Sequence, residues 1–190
     1  MCSSDLKSFS LAGIRLGWIA TRLPHIIETC AKARDYTTIS VSRLDDAIAT
    51  RALEPATVKR IIERNLGLAE TNAGILRRYV TTIFPTGSAR YTEPQGGTTA
   101  FMQFLDPETG EVVDDVMFCE ELMEKEKLLI MPGSLCFGHG KDFKGYVRIG
   151  YCCATEELVE GMDVLAGYLR TKWRVEAVGK AEVAVTEVVV

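Results

Sequence analysis

The sequence predicts a mixed fold, α/β at its start and α+β at its end, and three observations carry that expectation. A short apolar run, LGWIAT, reads as a buried strand that leads into helical periodicity. From Pro55 to about Ile83 apolar residues recur at helical spacing, which marks one long helix of the kind that links two lobes. Beyond it the texture changes to strand-like alternation interleaved with amphipathic helices, as in TTAFMQFL followed by DDVMFCEELMEKE.

The elements follow in order. After LGWIAT, the run PHIIETCAKARDY has apolar residues at helical spacing and a proline suited to the first helical position. SRLDDAIATRAL reads as a second helix with its serine as cap. The long helix carries Val58, Ile61, Ile62, Leu66, Leu68, Ile75, Leu76, Tyr79 and Val80, with Gly67 and Gly74 as places for a bend. TTAFMQFL is then a strand and PETGE a turn, DDVMFCEELMEKE a helix with acids in its first turn, and KLLIMPG a strand ending in a turn. YVRIGYCCA is a further strand, and TEELVEGMDVLAGYLRTKW a helix with an approximate capping box at Thr155. These elements predict helices on a mostly antiparallel sheet, and the Val-rich tail VEAVGKAEVAVTEVVV either adds a strand or stays disordered.

Composition narrows the partners. A chain of 190 residues with 47% hydrophobic residues can fill one core, or a core plus a small lobe. A net charge of −4 with dispersed basic residues gives no footprint for nucleic acid or for an anionic membrane. There is neither a spanning apolar run nor a signal-peptide pattern, so the expected location is the cytoplasm. The six cysteines, Cys2, Cys30, Cys119, Cys136, Cys152 and Cys153, form no C-x-x-C pair, which argues against a metal and for small buried hydrophobes in a reducing compartment. His25 reads as a helix-surface residue, His139 as a loop residue, and Tyr36 as packing.

The stretch SSDLKSFSLAGIRLGW carries the chemistry. Lys7 sits in a Gly/Ser-rich turn, with Ser4 three residues before it and Arg15 eight after it. That set is what pyridoxal phosphate needs: an amine for the aldehyde, and a hydroxyl and a guanidinium for the phosphate. The stretch resembles the S-x-x-K…G-x-R-x-G segment of the fold-type I pyridoxal phosphate enzymes, the class I/II aminotransferases. EPQGGTTAFMQF, KLLIMPGSLCFG and GYVRIGYCCATEELVEGMDVLAGYL are similar to later segments of that family, in the same order, so the resemblance runs over roughly residues 3 to 170.

The resemblance implies that Lys7 is the Schiff-base lysine, that Ser4 and Arg15 bind the phosphate, and that Gly13 and Gly17 let the turn approach the cofactor. It implies that Arg148 clamps the substrate α-carboxylate, where a planar guanidinium suits a planar carboxylate. It divides the chain into a partial cofactor-binding large domain with a remnant of its parallel sheet (1–55), an interdomain helix (56–83), a small α+β domain (84–172) and a tail (173–190). The family's aspartate for the ring nitrogen, its ring-oxygen contacts and its amide-rich phosphate loop precede the lysine, and only six residues stand before Lys7 here. Asp5, between Ser4 and Lys7, is placed to perturb the phosphate pocket.

Two functions follow as expectations. The first is the C-terminal half of an aminotransferase that moves an amino group from an amino acid to a 2-oxo acid and is inactive alone. Lys7 also serves it as the base for the α-proton, and an elimination or cyclisation is the near alternative. The second is a non-catalytic truncated or complementing subunit. Family sites form at a dimer interface, so a homodimer or a complementing N-terminal half is the expected partner.

Overall fold

The computed structural model describes residues 2–3, 6–140 and 142–175. The chain divides into two compact units, Met1–Leu68 and Ala69–Val190. Ser4 and the Val-rich tail from residue 176 on lie outside the described residues.

The first unit begins with β1 (Cys2–Ser3) paired antiparallel to β2 (Trp18–Ile19), with two 3-10 turns between them, Lys7–Phe9 and Ala12–Ile14. The buried strand expected of LGWIAT reduces to Trp18 and Ile19, each 45% exposed. A two-stranded ribbon of this length has no second layer to cover it. Helix α1 (Pro24–Asp35) starts on its proline, whose missing N–H is no loss in a first turn. Helix α2 (Arg43–Ala52) starts on Ser42, whose Oγ accepts from the Asp45 N–H at 3.3 Å, as the sequence predicts. Tyr36 caps α1 and is 91% exposed, so the core packing expected of it is not found. Leu6, Ala49 and Ala52 are buried, whereas Leu44, Ile39 and Leu53 are exposed.

Helix α3 (Pro55–Arg78) runs through the expected long helical segment and ends in a π-turn, Tyr79–Ile83. The second unit then builds one antiparallel sheet in the order β3-β4-β6-β5, from β3 (Ala89–Tyr91), β4 (Thr99–Phe104), β5 (Met131–Pro132) and β6 (Tyr146–Gly150). Between these strands lie α4 (Asp115–Glu121) and the short α5 (Gly133–Cys136), and α6 (Thr155–Trp173) closes the unit. Strand alternation sorts the side chains. Ala100, Met102 and Phe104 of β4 and Val147 and Ile149 of β6 are buried in the core with Leu158, Met162, Leu165 and Leu169 of α6. Phe101, Tyr146 and Arg148 fall on the opposite face.

Three local expectations are corrected. Helix α6 has no capping box: its N-cap is Ala154, and the Thr155 hydroxyl donates instead to Asn72 Oδ1 at 2.9 Å. KLLIMPG contributes only Met131–Pro132 to the sheet. Among the described cysteines only Cys119 is buried; Cys136 and Cys152 are exposed, Cys30 and Cys153 half-buried. Among the described residues no helix is long and apolar enough to cross a membrane.

Candidate functional site

In the first unit the candidate residues sit on consecutive tight turns. Lys7 opens the first 3-10 turn and its side chain is exposed. The turn closes through Ser10 N–H to Lys7 C=O (2.9 Å), Phe9 N–H to Leu6 C=O (3.1 Å) and Leu11 N–H to the same Leu6 carbonyl (3.0 Å). Leu6, one residue before the lysine, is 1% exposed and pins that end of the turn. Ser10 ends it in the left-handed region at φ 58°. Arg15 ends the second turn in the same conformation, φ 52°, with an exposed side chain whose Nη1 donates to Ala12 C=O at 3.3 Å. Lys7 and Arg15 therefore share one segment of one unit. At Gly13 a Cβ would meet nothing within 4 Å, so no neighbour among the described residues requires glycine there.

Two residues of α3 that sequence reasoning missed hold this segment. Asn65 Nδ2 donates to Ser8 C=O at 2.8 Å, and Ser10 Oγ donates to Asn65 Oδ1 at 3.2 Å. Arg64 adds Nη2 bonds to Ser10 Oγ (3.2 Å) and Asn65 Oδ1 (3.0 Å). An asparagine inside a long helix is a poor helix former whose amide competes with the backbone, and that was the available signal.

In the second unit Arg148 occupies a strand with neighbours on both sides, opposite Phe101 on β4 and Met131 on β5. Its side chain is exposed, and its guanidinium carbon lies 5.8 Å from the centre of the Phe137 ring, within cation–π range. Among the described residues no carboxylate pairs with it, so the ordinary surface ion pair is not its environment. Phe101 stacks on Tyr146 at 5.0 Å and meets Phe137 and Phe143 edge-on at 5.3 and 5.2 Å. These rings line the same sheet face as the arginine.

The segment from Gly133 to Gly145 that carries Phe137 and Phe143 is fastened by Asp115. This carboxylate is 3% exposed and accepts from Ser134 N–H and Ser134 Oγ, both at 2.8 Å, and from Gly145 N–H at 3.0 Å. Gly133, from the PGS motif, is required by close approach: a Cβ there would lie 2.7 Å from Tyr146 O and 2.9 Å from Phe101 Cζ. A groove of about 330 Å³ runs beside β6, lined largely by apolar residues, with Arg148 as its basic residue and Glu157 as its acidic one. Cys153 also lines it, but burial pushes the thiols of Cys152 and Cys153 up, and that of Cys119 to about 12, which disfavours a thiolate nucleophile. His25 and His139 are both exposed, as expected.

Comparison with known proteins supplies the remaining findings. The family model described as aminotransferase class I and II matches residues 2–165. A capreomycidine synthase of Streptomyces vinaceus is 29% identical over 168 residues, spanning 88% of this chain and 39% of that protein. An aspartate aminotransferase of Pyrococcus abyssi is 30% identical over 167 residues, spanning 87% of this chain and 40% of that one. Among solved structures, a PLP-dependent aminotransferase from Streptococcus suis superposes with a TM-score of 0.71 at 31% identity, over 87% of this chain and 40% of that chain. The chain thus spans about 40% of the length of the relatives it matches.

Proposed function

The chain belongs to the class I and II aminotransferase family, whose enzymes depend on pyridoxal phosphate, and from that premise we propose that it carries the cofactor lysine and the carboxylate clamp of an amino-group transfer between an amino acid and a 2-oxo acid. The observation that carries the reading is Lys7, exposed on a turn fixed by its neighbours, with Arg15 ending the turn that follows.

The donor set of the first unit fits pyridoxal phosphate. Lys7 offers a primary amine to the aldehyde, and Arg15 and Ser4 offer a guanidinium and a hydroxyl to the phosphate. When bound, the cofactor supplies an electron sink for negative charge at the substrate α-carbon. Lys7 would hold it covalently through Nζ, and once the substrate amine displaces that nitrogen the freed Lys7 amine would take the α-proton of the amino acid. Arg148, whose guanidinium carbon lies 5.8 Å from the centre of the Phe137 ring, would bind the α-carboxylate.

The chain spans about 40% of the length of its relatives and so carries a share of a site. Residues 1–190 on their own are expected to take up the cofactor at Lys7 without ordinary turnover. A homodimer or a complementing N-terminal half is the proposed partner, a reading supported by the exposed apolar side chains of the first unit, Trp18, Ile19, Ile39 and Leu44 among them. A cytoplasmic location belongs to the same proposal, supported by the free thiols of the described cysteines. The synthase among the relatives favours one second reading, a different reaction at the substrate α-carbon, which product analysis separates from transamination.

The test is covalent capture. Protein mixed with pyridoxal phosphate and reduced with borohydride should carry a pyridoxyl group on the Lys7 peptide, and Lys7→Ala should lose that label. Label spread evenly over surface lysines such as Lys32 and Lys59 would overturn the assignment.

A further inference from the structure

The geometry points to Asn65 as the positioning residue for Lys7, with Arg64 as its support; this rests on the reading of Lys7 as the cofactor lysine. Lys7 lies between two anchors of different chemistry. On its N-terminal side Leu6 is buried and its carbonyl accepts from both Phe9 N–H and Leu11 N–H. On its C-terminal side the turn has no buried residue, since Ser8 and Ser10 are exposed and Phe9 is half-buried. What fixes that side is Asn65, which donates to Ser8 C=O at 2.8 Å and accepts from Ser10 Oγ at 3.2 Å.

The two bonds use opposite ends of one amide, so only a side chain with a donor and an acceptor at this reach satisfies both. They act 57 and 55 residues away along the chain, from a helix to a turn. Arg64 makes the arrangement three-cornered: its Nε and Nη2 donate to Asn65 Oδ1 at 3.2 and 3.0 Å, which directs the amide oxygen toward Ser10, and Nη2 also reaches Ser10 Oγ. Ser10 needs such holding, because its φ of 58° is a left-handed conformation that a serine does not adopt readily. Released from Asn65, the turn relaxes at Ser8–Ser10, and the Lys7 Cα loses its fixed direction.

The substitutions separate this role from general stability. Asn65→Asp keeps the acceptor for Ser10 and Arg64 but sets a carboxylate oxygen against Ser8 C=O, so it should behave like Asn65→Ala. Ser10→Ala removes the weaker bond and should move the same way by less. The intact 190-residue chain is treated with pyridoxal phosphate and borohydride for a fixed short time, and pyridoxyl label at Lys7 is measured relative to Lys59 by peptide mass spectrometry. The expected result is a fall of about tenfold in that ratio for Asn65→Ala and Asn65→Asp, as loss of fixed geometry at a reacting group implies. Faster amide exchange at Ser10 and Leu11 accompanies it, with unchanged circular dichroism. If the wild-type chain labels Lys7 selectively and both Asn65 variants keep that selectivity, Asn65 does not position the lysine and the proposal fails alone. If the wild-type chain shows no preference for Lys7, the cofactor-lysine reading fails and takes the proposal with it. Should a variant lose its helical signal, Ser10→Ala decides: an unchanged ratio there, with faster exchange at Ser10, overturns the proposal.

Discussion

Removing the Asp115 carboxylate should cost the second unit about 3 kcal/mol of stability and loosen the segment that brings Phe137 to Arg148. The carboxylate is buried and makes three bonds: Oδ2 accepts from Ser134 N–H and Oγ, and Oδ1 from Gly145 N–H, at 2.8, 2.8 and 3.0 Å. Hydrogen bonds to a charged group contribute about 1.5–3 kcal/mol each, so the three together give roughly 4.5–9 kcal/mol. Against this stands the cost of burying the charge, several kcal/mol for a carboxylate, which Asp115→Ala recovers while leaving three donors unmatched. The difference is the expected loss of about 3 kcal/mol. Asp115→Asn should lose less, because an amide oxygen at the Oδ2 position keeps both Ser134 bonds and only Gly145 N–H faces a new donor. Urea unfolding followed by tryptophan and far-ultraviolet signals gives the stability, and hydrogen exchange at Ser134 and Gly145 reports the local release. A loss below about 1 kcal/mol for Asp115→Ala, or a larger loss without faster exchange at those two amides, would refute the reasoning.

Other outcomes are equally specific. Burial pushes the Tyr91 hydroxyl up to about 12, and no partner among the described residues reaches its oxygen; Tyr91→Phe should therefore be neutral or stabilising by up to about 1 kcal/mol, and a clear loss of thermal stability would contradict this. The Tyr168 hydroxyl and then the Lys172 ammonium hold the Glu121 carboxyl below the ordinary glutamate range, so its contribution is present above that range and is lost as pH falls through the depressed folded value. The urea-midpoint gap between wild type and Glu121→Gln should accordingly narrow on acidification, whereas a constant gap would rule the linkage out. In an active assembly, Arg148→Ala should weaken amino-acid binding by about 1.5–3 kcal/mol and leave cofactor binding unchanged; an equal loss of both would make Arg148 structural. Leu44 is 71% exposed on α2, so Leu44→Glu should reduce self-association in sedimentation velocity, and a wild-type chain that stays monomeric at all accessible concentrations would speak against the apolar surface as an interface.

Elements whose stabilising contacts repeat along the chain were legible in the sequence. The α6 stripe Leu158, Met162, Leu165 and Leu169 and the β4 alternation Ala100, Met102, Phe104 are periodic, and the structure buries those residues. Residues whose partners are distant were not legible. Asp115 reads as an acid in a helix first turn, yet its partners stand 19 and 30 residues away, and Asn72 in α3 reaches Tyr151 C=O across 79. Neither long-range bond leaves a periodic trace. KLLIMPG failed for another reason: of its apolar run only Ile130 is buried, while Leu129 and Met131 are exposed, so the run does not report a paired strand. Lys7, Arg15 and Arg148 are candidates through spacing and resemblance alone, because an exposed lysine or arginine is chemically ordinary until its neighbours are counted.

The two basic residues are held differently, and the difference follows from their side chains. Lysine ends in a compact ammonium on a flexible four-carbon stem, so a fixed Cα still leaves the amine free to sweep. Lys7 is accordingly fixed through its backbone, by buried Leu6 on one side and tethered Ser8 on the other. Arginine recognises a carboxylate through a planar fork, so its plane has to be set as well as its position. Arg148 has two kinds of contact: buried Val147 and Ile149 and ladders on both strand edges hold its Cα, and its guanidinium carbon lies 5.8 Å from the centre of the Phe137 ring. The second contact depends on a segment that Asp115 fastens and Gly133 allows to pass close to β6. Changes in that segment can therefore alter how the fork is presented while the sheet stays intact, whereas the lysine responds to what holds its turn.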